Sequence, residues 1–393
     1  MSIKPSLSPI GSTVTNYLPQ QYKETGRLSI NHNYLHEQFA DHDLILQKIK
    51  RVVEAGDFTL GKEVDALEQD FAQICESKFA IAVGSGTDAI FLSLKAIGVG
   101  PGDEVITTPF TFYATIGAIV TSGAKPVFVD VCDDANIDVG QIEDSITPRT
   151  KAIVPVHWSG RSCNLEALEG ISNRHKIPIV TDACHAVKAR YNNLSITKFG
   201  LANCFSFHPL KNLNIWGDGG IVVTDSSDLA NTLRLLRNHG LQSRDVCSVF
   251  AYNSRLDTVQ AVVARHMLAK IDHITDSRRR NAHELDRAFR SISQISVPKR
   301  SSELYEVFHL YSVYCEQRDA LQRYLVEHDV DAKVHYPMPM HLQPAAQFLG
   351  HRRGDFPMAE SLSMQTLSFP VHEFIASEQL ERMVQLVRDF YGD

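Results

Sequence analysis

Lys211 is the residue whose position most clearly suggests chemistry. It follows a short alternating apolar segment, residues 205–207, and precedes a glycine-rich return at 217–220 that leads into a second apolar run. A lysine between two buried strands is partly desolvated, which lowers the pKa of its amine and makes it a nucleophile for imine chemistry. A surface-turn lysine fits the local sequence equally well, because turns normally lie at the surface. The local sequence alone leaves these alternatives open.

Further residues with chemical potential lie upstream of this lysine. Residues 84–87 separate a predicted strand from a predicted helix, so their backbone N–H groups and the helix dipole could hold a phosphate. Phe112 and Tyr113 begin the next helix. They could be core residues or could offer a ring on which a ligand stacks. Asp182 ends an apolar strand, where a carboxylate needs a cationic or hydrogen-bonding partner, and His185 follows one turn later.

Taken together, these features match the requirements of pyridoxal phosphate. This cofactor needs a lysine for an imine link, a carboxylate for its pyridine nitrogen and a phosphate site. The glycine turn is weak evidence alone, since it is neither a Walker loop nor a dinucleotide fingerprint. The features fall where strands end, however, which is where ligands bind in open α/β sheets. The combination predicts a pyridoxal phosphate site and no metal site.

The elements that must position these residues follow an α/β pattern. Strands alternating with helices favour a largely parallel sheet covered on both faces. A long helix over 256–292 carries three consecutive arginines, 278–280, which we expect on a solvated helix face. We expect an extended arm over residues 1–30, a large α/β domain over 31–270 and a small α+β domain over 271–393. Strands are predicted at 79–83, 104–108, 126–131, 152–158, 178–183, 307–315 and 332–336, and helices at 35–55, 62–72, 318–328 and 377–391.

Composition excludes several classes of function. The chain has 393 residues, 44% of them hydrophobic, and a net charge of −7, which gives no reason to expect nucleic acid or an anionic membrane as a partner. The seven cysteines lack zinc-ligand or redox spacing, which predicts a reducing, cytoplasmic compartment. Residues 1–27 have no apolar segment typical of a signal peptide, and no stretch is apolar enough to span a bilayer.

A set of short motifs extends from about residue 35 to the C-terminus. They are Ser85–Ala89, Pro101–Val105, Thr111–Phe112, Ala114–Thr115, Pro155–His157, Asp182–Ala183, Phe205–Phe207, Lys211–Leu213, Gly217–Gly220, Arg237–Gly240, Asn253–Asp257 and His335–Pro337. The set resembles the DegT/StrS sugar aminotransferases, which are fold-type I pyridoxal phosphate enzymes. The resemblance implies a large, mainly parallel seven-stranded sheet domain plus a small C-terminal α+β domain.

The resemblance also implies roles for individual residues. Lys211 would form the imine link to the cofactor and shuttle protons, and Asp182 would keep the pyridine nitrogen protonated. His185 stands where the family commonly has Gln, beside the phenolic oxygen of the cofactor. The other cofactor contacts would come from Gly86, Thr87, Ser206, Phe112 and, across a homodimer with shared active sites, Asn253.

The implied reaction moves an amino group from L-glutamate to a keto or aldehydo sugar. Arg161 and Lys188 stand at positions that are usually uncharged in the family, and Trp158 is unusual as well. Two added cations would suit an anionic substrate such as a sugar acid; exposure of both to solvent is the equal alternative. His335 and Tyr336 are further candidate substrate contacts.

Three interpretations of the substrate and role stay open. The overall resemblance favours 8-oxo-3-deoxy-octulosonate as acceptor, giving the 8-amino sugar (8-amino-KDO) of lipopolysaccharide, over a nucleotide-linked keto-sugar, the commonest case in the family. A non-catalytic pyridoxal-phosphate-binding regulator is an alternative of another class. The dehydratase branch of the family replaces the lysine by histidine, and the presence of Lys211 argues against it.

Overall fold

The structure is a computed structural model that describes residues 28–32 and 34–392. Most of the arm expected over residues 1–30 therefore lies outside the described residues. The helices are α1 (Leu35–Gln38), α2 (His42–Ala55), α3 (Lys62–Ile74), α4 (Gly86–Ala96), α5 (Tyr113–Thr121), α6 (Leu165–His175), α7 (Ser227–Leu236), α8 (Thr258–Leu268), α9 (Ile271–Phe289), α10 (Arg318–Glu327), α11 (Pro357–Gln365) and α12 (Ser377–Tyr391). The strands are β1 (Phe79–Val83), β2 (Glu104–Thr107), β3 (Lys125–Phe128), β4 (Thr150–Ile153), β5 (Val180–Asp182), β6 (Arg190–Tyr191), β7 (Leu194–Ser195), β8 (Ala202–Ser206), β9 (Gly220–Thr224), β10 (Leu241–Ser243), β11 (Val246–Cys247), β12 (Ile295–Ser296), β13 (Leu304–Tyr305), β14 (Tyr311–Cys315) and β15 (Thr366–Phe369).

A mainly parallel sheet carries the candidate site. A three-stranded part, β3–β2–β4, and a four-stranded part, β5–β8–β9–β1, are joined by parallel bridges from Ile153 to Ile179 and from Val156 to Asp182. Within this sheet only β9 is antiparallel to its neighbours. The predicted seven-stranded, mainly parallel sheet is therefore confirmed.

The sheet is buried on both faces, which explains why its strands appear as nearly continuous apolar runs. Phe205 and Phe207 make edge contacts with Phe71 of α3, at ring-centroid distances of 5.3 and 5.6 Å. On the opposite face Cys204 approaches Ser93 of α4, with 3.5 Å between Sγ and Oγ. Each fully buried aromatic ring of this kind contributes about 1.5–3 kcal/mol through the apolar area it removes from water. The two packed faces hold the strand ends in a fixed arrangement.

A second core lies in the C-terminal part. Phe289 of α9 packs on Phe369 of β15, and Leu321, Val313 and Met383 are buried in the same cluster. The strands β12, β14 and β15 form a small antiparallel sheet beside it. Antiparallel strands with helices on one side are typical of an α+β unit. None of the helices described here combines the length and apolar character needed to cross a bilayer.

Two predicted helices are each divided in two. The helix predicted over 35–55 ends at Gln38 and resumes at His42, and the one predicted over 256–292 is broken between Leu268 and Ile271. Asp41 and Lys270 occupy the residues just before the second halves, and Asp41 Oδ2 lies 2.8 Å from Lys270 Nζ. The prediction of two continuous helices was therefore wrong, and this contact joins the two breaks in the folded chain.

Other predicted elements differ from the structure. The strand predicted over 152–158 ends at Ile153, and a short 3₁₀ turn takes up residues 158–160. The strand at 307–315 begins only at Tyr311, and residues 332–336 contribute a single bridge, from Lys333 to Ser368. Arg278, expected on a solvated face, is buried and donates to the carbonyls of Phe308 and His309. That carbonyl pair explains why a buried guanidinium is tolerated.

Candidate active site

Asp182, the last residue of β5, is a buried carboxylate with a fixed orientation. Its Oδ2 accepts a hydrogen bond of 2.7 Å from the hydroxyl of Thr115 in α5, and its Oδ1 accepts from the backbone N–H of Cys184 at 3.1 Å. The Thr115 hydroxyl lies 2.8 Å from that of Thr111, one helical turn away. A carboxylate held in this way can bind a protonated ring nitrogen and stabilise its charge.

The turn between β1 and α4 forms a compact main-chain cradle. Ser85 caps α4, because its Oγ accepts from the N–H of Asp88 at 3.0 Å. Gly86 follows, and a Cβ there would lie 2.6 Å from the Cβ of Ser206 and 3.0 Å from Sγ of Cys184. Only glycine leaves this space open. The N-terminus of α4, with Ser206 opposite it, therefore suits a phosphate group.

Lys211 lies in a half-buried turn after β8, between the buried residues 202–207 and 212–215. The backbone N–H of Lys211 donates to the carbonyl of His208 at 2.9 Å. The carbonyl of Phe207 accepts from the N–H of Ile215 at 3.0 Å, and the N–H of Phe207 donates to the carbonyl of Gly219 at 2.8 Å. Among the described residues no partner hydrogen-bonds to Lys211 Nζ. Burial lowers the pKa of the Lys211 amine, while Cys184 and Asp182 act in the opposite direction. The amine can therefore act as a nucleophile. The structure does not show the simple surface-turn lysine that the local sequence also allowed.

His185 lies against two other rings. Its ring centroid is 4.3 Å from that of His309 and 5.8 Å from that of Trp158. Burial, with Lys211 and His335 nearby, lowers the pKa of His185 well below its usual value, so the ring is neutral at neutral pH. Its Nδ1 is buried without a hydrogen-bond partner in the described chain. Such an orphaned atom indicates a place for a polar group from a ligand.

These residues fit pyridoxal phosphate. The structure brings together the amine of Lys211, the carboxylate of Asp182, the neutral ring of His185 and the cradle of Gly86 and Ser206. These are the lysine, the carboxylate and the phosphate-binding turn that the group requires. When bound, pyridoxal phosphate supplies an electron sink for amino-group transfer. These residues of the chain would hold it, and the Lys211 amine would exchange protons.

Three predicted cofactor contacts lie at the surface of the single chain. Phe112 is 46% exposed, and its ring centroid lies 5.8 Å from that of Tyr336. Thr87, in the first turn of α4, is exposed. Asn253 is exposed as well and forms a bridge with Asn238. The contact of Asn253 with a cofactor in a second subunit remains a prediction.

The predicted substrate contacts Trp158, His335 and Tyr336 form one wall beside these residues. Trp158 is buried, with its ring 5.5 Å from that of Tyr336 and 4.8 Å from that of Phe110. Burial raises the pKa of Tyr336, and Asp182 raises it further, so its hydroxyl stays protonated. Burial and the neighbouring Lys211 lower the pKa of His335 to about 4. The wall is thus aromatic and uncharged at neutral pH.

The two candidate cations, Arg161 and Lys188, are already paired within the chain. Arg161 is buried; its Nε lies 3.2 Å from Asp134 Oδ2, and its Nη1 lies 3.5 Å from Glu306 Oε1. Lys188 is bonded to Asp272. Exposure to solvent was the wrong alternative for Arg161. Both charges have carboxylate partners, so neither is a free cation; the pairs of Arg161 are buried, whereas Asp272, the partner of Lys188, is largely exposed.

Three residues of the site gained no role from sequence reasoning: Thr115, Asn212 and His309. Thr115 was part of a motif, and the hydroxyl of Thr111 four residues earlier, just before the helix, was the available signal. Asn212 follows Lys211, but its partners Val307 and His309 are remote in the chain. His309 fell within a predicted strand and carried no local signal.

Comparisons with known proteins show which family the chain resembles. A family model described as the DegT/DnrJ/EryC1/StrS aminotransferase family matches residues 40–388. The chain is 40% identical over 350 residues to a "pleiotropic regulatory protein" of Geobacillus stearothermophilus, covering 88% of this chain and 94% of the relative. It is 38% identical over 343 residues to the dTDP-3-amino-3,4,6-trideoxy-alpha-D-glucose transaminase of Streptomyces venezuelae, covering 87% and 90%. A crystal structure of DesV from S. venezuelae in complex with a ketimine intermediate superposes with a TM-score of 0.91 at 36% identity, covering 94% of this chain and 100% of that one.

The chain belongs to the DegT/DnrJ/EryC1/StrS aminotransferase family. It is a sugar aminotransferase that uses pyridoxal phosphate and acts on a keto sugar. The predicted fold class, enzyme class and cofactor are thereby confirmed.

Proposed function

We propose that this enzyme transfers an amino group from L-glutamate to a nucleotide-linked keto-sugar, at a site completed by a second copy of the chain. The relative from S. venezuelae, named as a transaminase of a dTDP-linked sugar, supports this acceptor class at 38% identity. The observation that carries the choice is the pairing of Arg161 and Lys188 with carboxylates. Because these two cations already have partners, they no longer argue for an acceptor that is recognised through its own carboxylate.

The wall of Trp158, Tyr336 and His335 fits the sugar part of such an acceptor. Aromatic faces pack well against the C–H groups of a pyranose, and a neutral His or Tyr can hydrogen-bond to its hydroxyls. The wall carries no charge of its own at neutral pH. We place the sugar ring there and the charged nucleotide outside it, towards solvent.

The competing acceptor is 8-oxo-3-deoxy-octulosonate, which the sequence favoured. A free sugar acid carries its carboxylate on the sugar itself, so it needs a cation near the sugar wall. Arg161 and Lys188 were the cations offered for this role, and both are engaged by Asp134, Glu306 and Asp272. This acceptor therefore serves as the alternative arm of the experiment below.

An apolar segment beside Asn253 supports the second copy. The hairpin β10–β11 and the residues after it expose Val246, Val249 and Tyr252, and Phe250 is 99% exposed. A cluster of large exposed apolar side chains marks an interaction surface. We propose that this segment packs on a second copy and carries Asn253 to the phosphate site of that copy.

The experiment measures the two half-reactions separately. L-glutamate alone should bleach the visible absorbance of the bound cofactor, converting it to its amine form. That form is then offered nucleotide-linked keto-sugars and, in parallel, 8-oxo-3-deoxy-octulosonate. Recovery of the absorbance with nucleotide-linked sugars only is the expected result, and recovery with the sugar acid only would reverse the assignment. An unchanged spectrum with every amino donor tested would favour the regulator, the role suggested by the name of the relative from G. stearothermophilus.

A further inference from the structure

Asn212 and His309 connect the turn that carries Lys211 to the ring of His185. Asn212 is buried and follows Lys211 directly. Its Nδ2 donates to the carbonyl of Val307 at 3.1 Å, and its Oδ1 lies 3.3 Å from Nδ1 of His309. The ring of His309 in turn lies 4.3 Å from that of His185, measured between centroids. A continuous chain of contacts therefore runs from the lysine turn to the histidine beside the cofactor site.

These contacts determine where His309 carries its proton. The carbonyl of Val307 can only accept, so the side-chain atom of Asn212 that faces it must be the nitrogen. The oxygen of the same amide then faces His309, and Nδ1 of His309 must donate to it. His309 is therefore the tautomer with the proton on Nδ1, and its Nε2 carries a lone pair.

The surroundings keep His309 neutral. Burial lowers its pKa well below the usual value, and His185, Lys211, Arg278 and His335 lower it further. The backbone carbonyl of His309 also accepts from Nη1 of Arg278 at 3.2 Å, which anchors the segment from behind. Asn212 holds the neutral ring of His309 and Arg278 holds its backbone, so this ring is a rigid support for the ring of His185.

We infer that His309 is a positioning residue that fixes the ring of His185 and couples it to the turn of Lys211 through Asn212. Without the ring of His309, His185 could rotate about its side-chain torsions and its unpartnered Nδ1 would no longer point in one direction. Residues that orient a ligand-contacting group commonly change affinity by about 10–100-fold when they are removed. The inference concerns the cofactor side of the site and is independent of the acceptor sugar.

Cofactor affinity in a double-mutant cycle tests this coupling. The dissociation constant of pyridoxal phosphate is measured by fluorescence for the wild type, His309→Ala, His185→Ala and the double variant. We expect His309→Ala to weaken binding about tenfold or more in the wild-type background and less than about twofold when His185 is already absent. Equal losses in both backgrounds would show that His309 does not act through His185.

Two further measurements separate positioning from a general effect on folding. His309→Phe keeps a ring against His185 but removes the hydrogen bond to Asn212, so it should recover only part of the affinity lost in His309→Ala; no recovery would contradict the ring contact. His283→Ala is the matched control, since His283 contacts the neighbouring Phe308 at 5.6 Å between centroids but belongs to neither side of the coupling. It should leave the affinity unchanged, and thermal unfolding of each variant without cofactor confirms that it is folded.

Nitrogen NMR of the ¹⁵N-histidine-labelled protein tests the tautomer without any activity measurement. The resonances of His309 should show a protonated Nδ1 and an unprotonated Nε2 from about pH 6 to about pH 8. Asn212→Ala should release this preference and alter the resonances of His185 as well. A protonated Nε2 in the wild type, or no response to Asn212→Ala, would overturn the inference.

Discussion

The hydroxyl of Thr115 donates to Oδ2 of Asp182 across 2.7 Å, from helix α5 to the end of strand β5. Since a carboxylate accepts only, this donor and the N–H of Cys184 occupy one oxygen each and determine how the group faces the site. The orientation of Asp182, the carboxylate proposed to meet the cofactor ring, thus depends on a side chain 67 positions earlier.

Replacing Thr115 by Val should destabilise the protein without cofactor. The substitution keeps the shape but leaves a buried carboxylate oxygen short of a donor, at a cost of about 1–3 kcal/mol in the free energy of unfolding. Thr121→Val is the control, because the Thr121 hydroxyl bonds to the carbonyl of Gly117 on the exposed side of the same helix. Urea titration should give that variant a free energy of unfolding within about 0.5 kcal/mol of the wild-type value. Equal losses would argue against the Asp182 contact.

Gly86→Ala should impair cofactor binding at the turn before α4. The added Cβ would approach Ser206 Cβ to 2.6 Å, so the cradle must shift, and we expect the dissociation constant to rise by at least about tenfold, or ~1.4 kcal/mol. Gly117→Ala in α5 meets no atom within 4 Å and should instead stabilise the helix by about 0.5–1 kcal/mol. Unimpaired binding in Gly86→Ala would exclude this cradle as the phosphate site.

Borohydride reduction should attach the cofactor covalently to Lys211. Peptide mapping should find the label on the fragment that contains this residue, because its half-buried amine has no hydrogen-bond partner among the described residues. The Lys211→Ala variant should not be labelled, and its kcat should fall by at least about 10³-fold. Lys198→Ala is the control, since Lys198 pairs with Asp225 away from the site. A label that persists in Lys211→Ala would refute the assignment.

Stability should fall on acidification below about pH 6.5, in part because of His157. Burial lowers the pKa of His157 to about 3, so between about pH 3 and about pH 6.5 the unfolded chain binds more protons than the folded one. Each such histidine lowers the free energy of unfolding by up to about 1.4 kcal/mol per pH unit in that window. His157 Nδ1 accepts from the N–H of Cys163, so His157→Asn can keep an acceptor there while removing the titration. Denaturant titrations at several pH values should show a flatter profile for this variant than for His42→Asn at an exposed site.

Phe250→Asp should dissociate the proposed dimer. A charge on the most exposed apolar side chain of the segment after β11 opposes its burial against a second copy. Light scattering should show a lower mass, and cofactor affinity should fall because Asn253 no longer reaches the partner site. Phe348→Asp, at a residue 53% exposed elsewhere, should leave the mass unchanged. A Phe250→Asp protein of wild-type mass would exclude this surface.

The parts of the molecule that could be predicted are those encoded locally. Apolar runs such as 79–83 and 221–223 predicted buried strands, and Asp182 and Lys211 could be proposed as site residues because the carboxyl ends of parallel strands lie together. Ser206 was proposed only from the family resemblance. The glycine at 86 could be assigned because it lies directly between a strand and a helix.

The remainder depends on contacts between distant segments. Arg161 looked like a free cation because Asp134 and Glu306 lie far from it in sequence. Lys270, at the break between α8 and α9, contacts Asp41, more than two hundred residues away. His309 acquires its role only through Asn212, 97 residues earlier. Pattern and propensity cannot report partners that the chain brings together only on folding.

Gly220 and Ser85 bring the start of β9 into main-chain contact with the phosphate turn, where a Cβ on Gly220 would lie 2.3 Å from the Ser85 carbonyl oxygen. Backbone packing therefore sets the spacing of the cofactor half of the site, and few substitutions can alter it. The wall proposed for the acceptor consists instead of side chains, Trp158 and Tyr336 among them, which single substitutions can exchange. One scaffold can in this way diversify the sugars it accepts over evolution while its reaction stays the same.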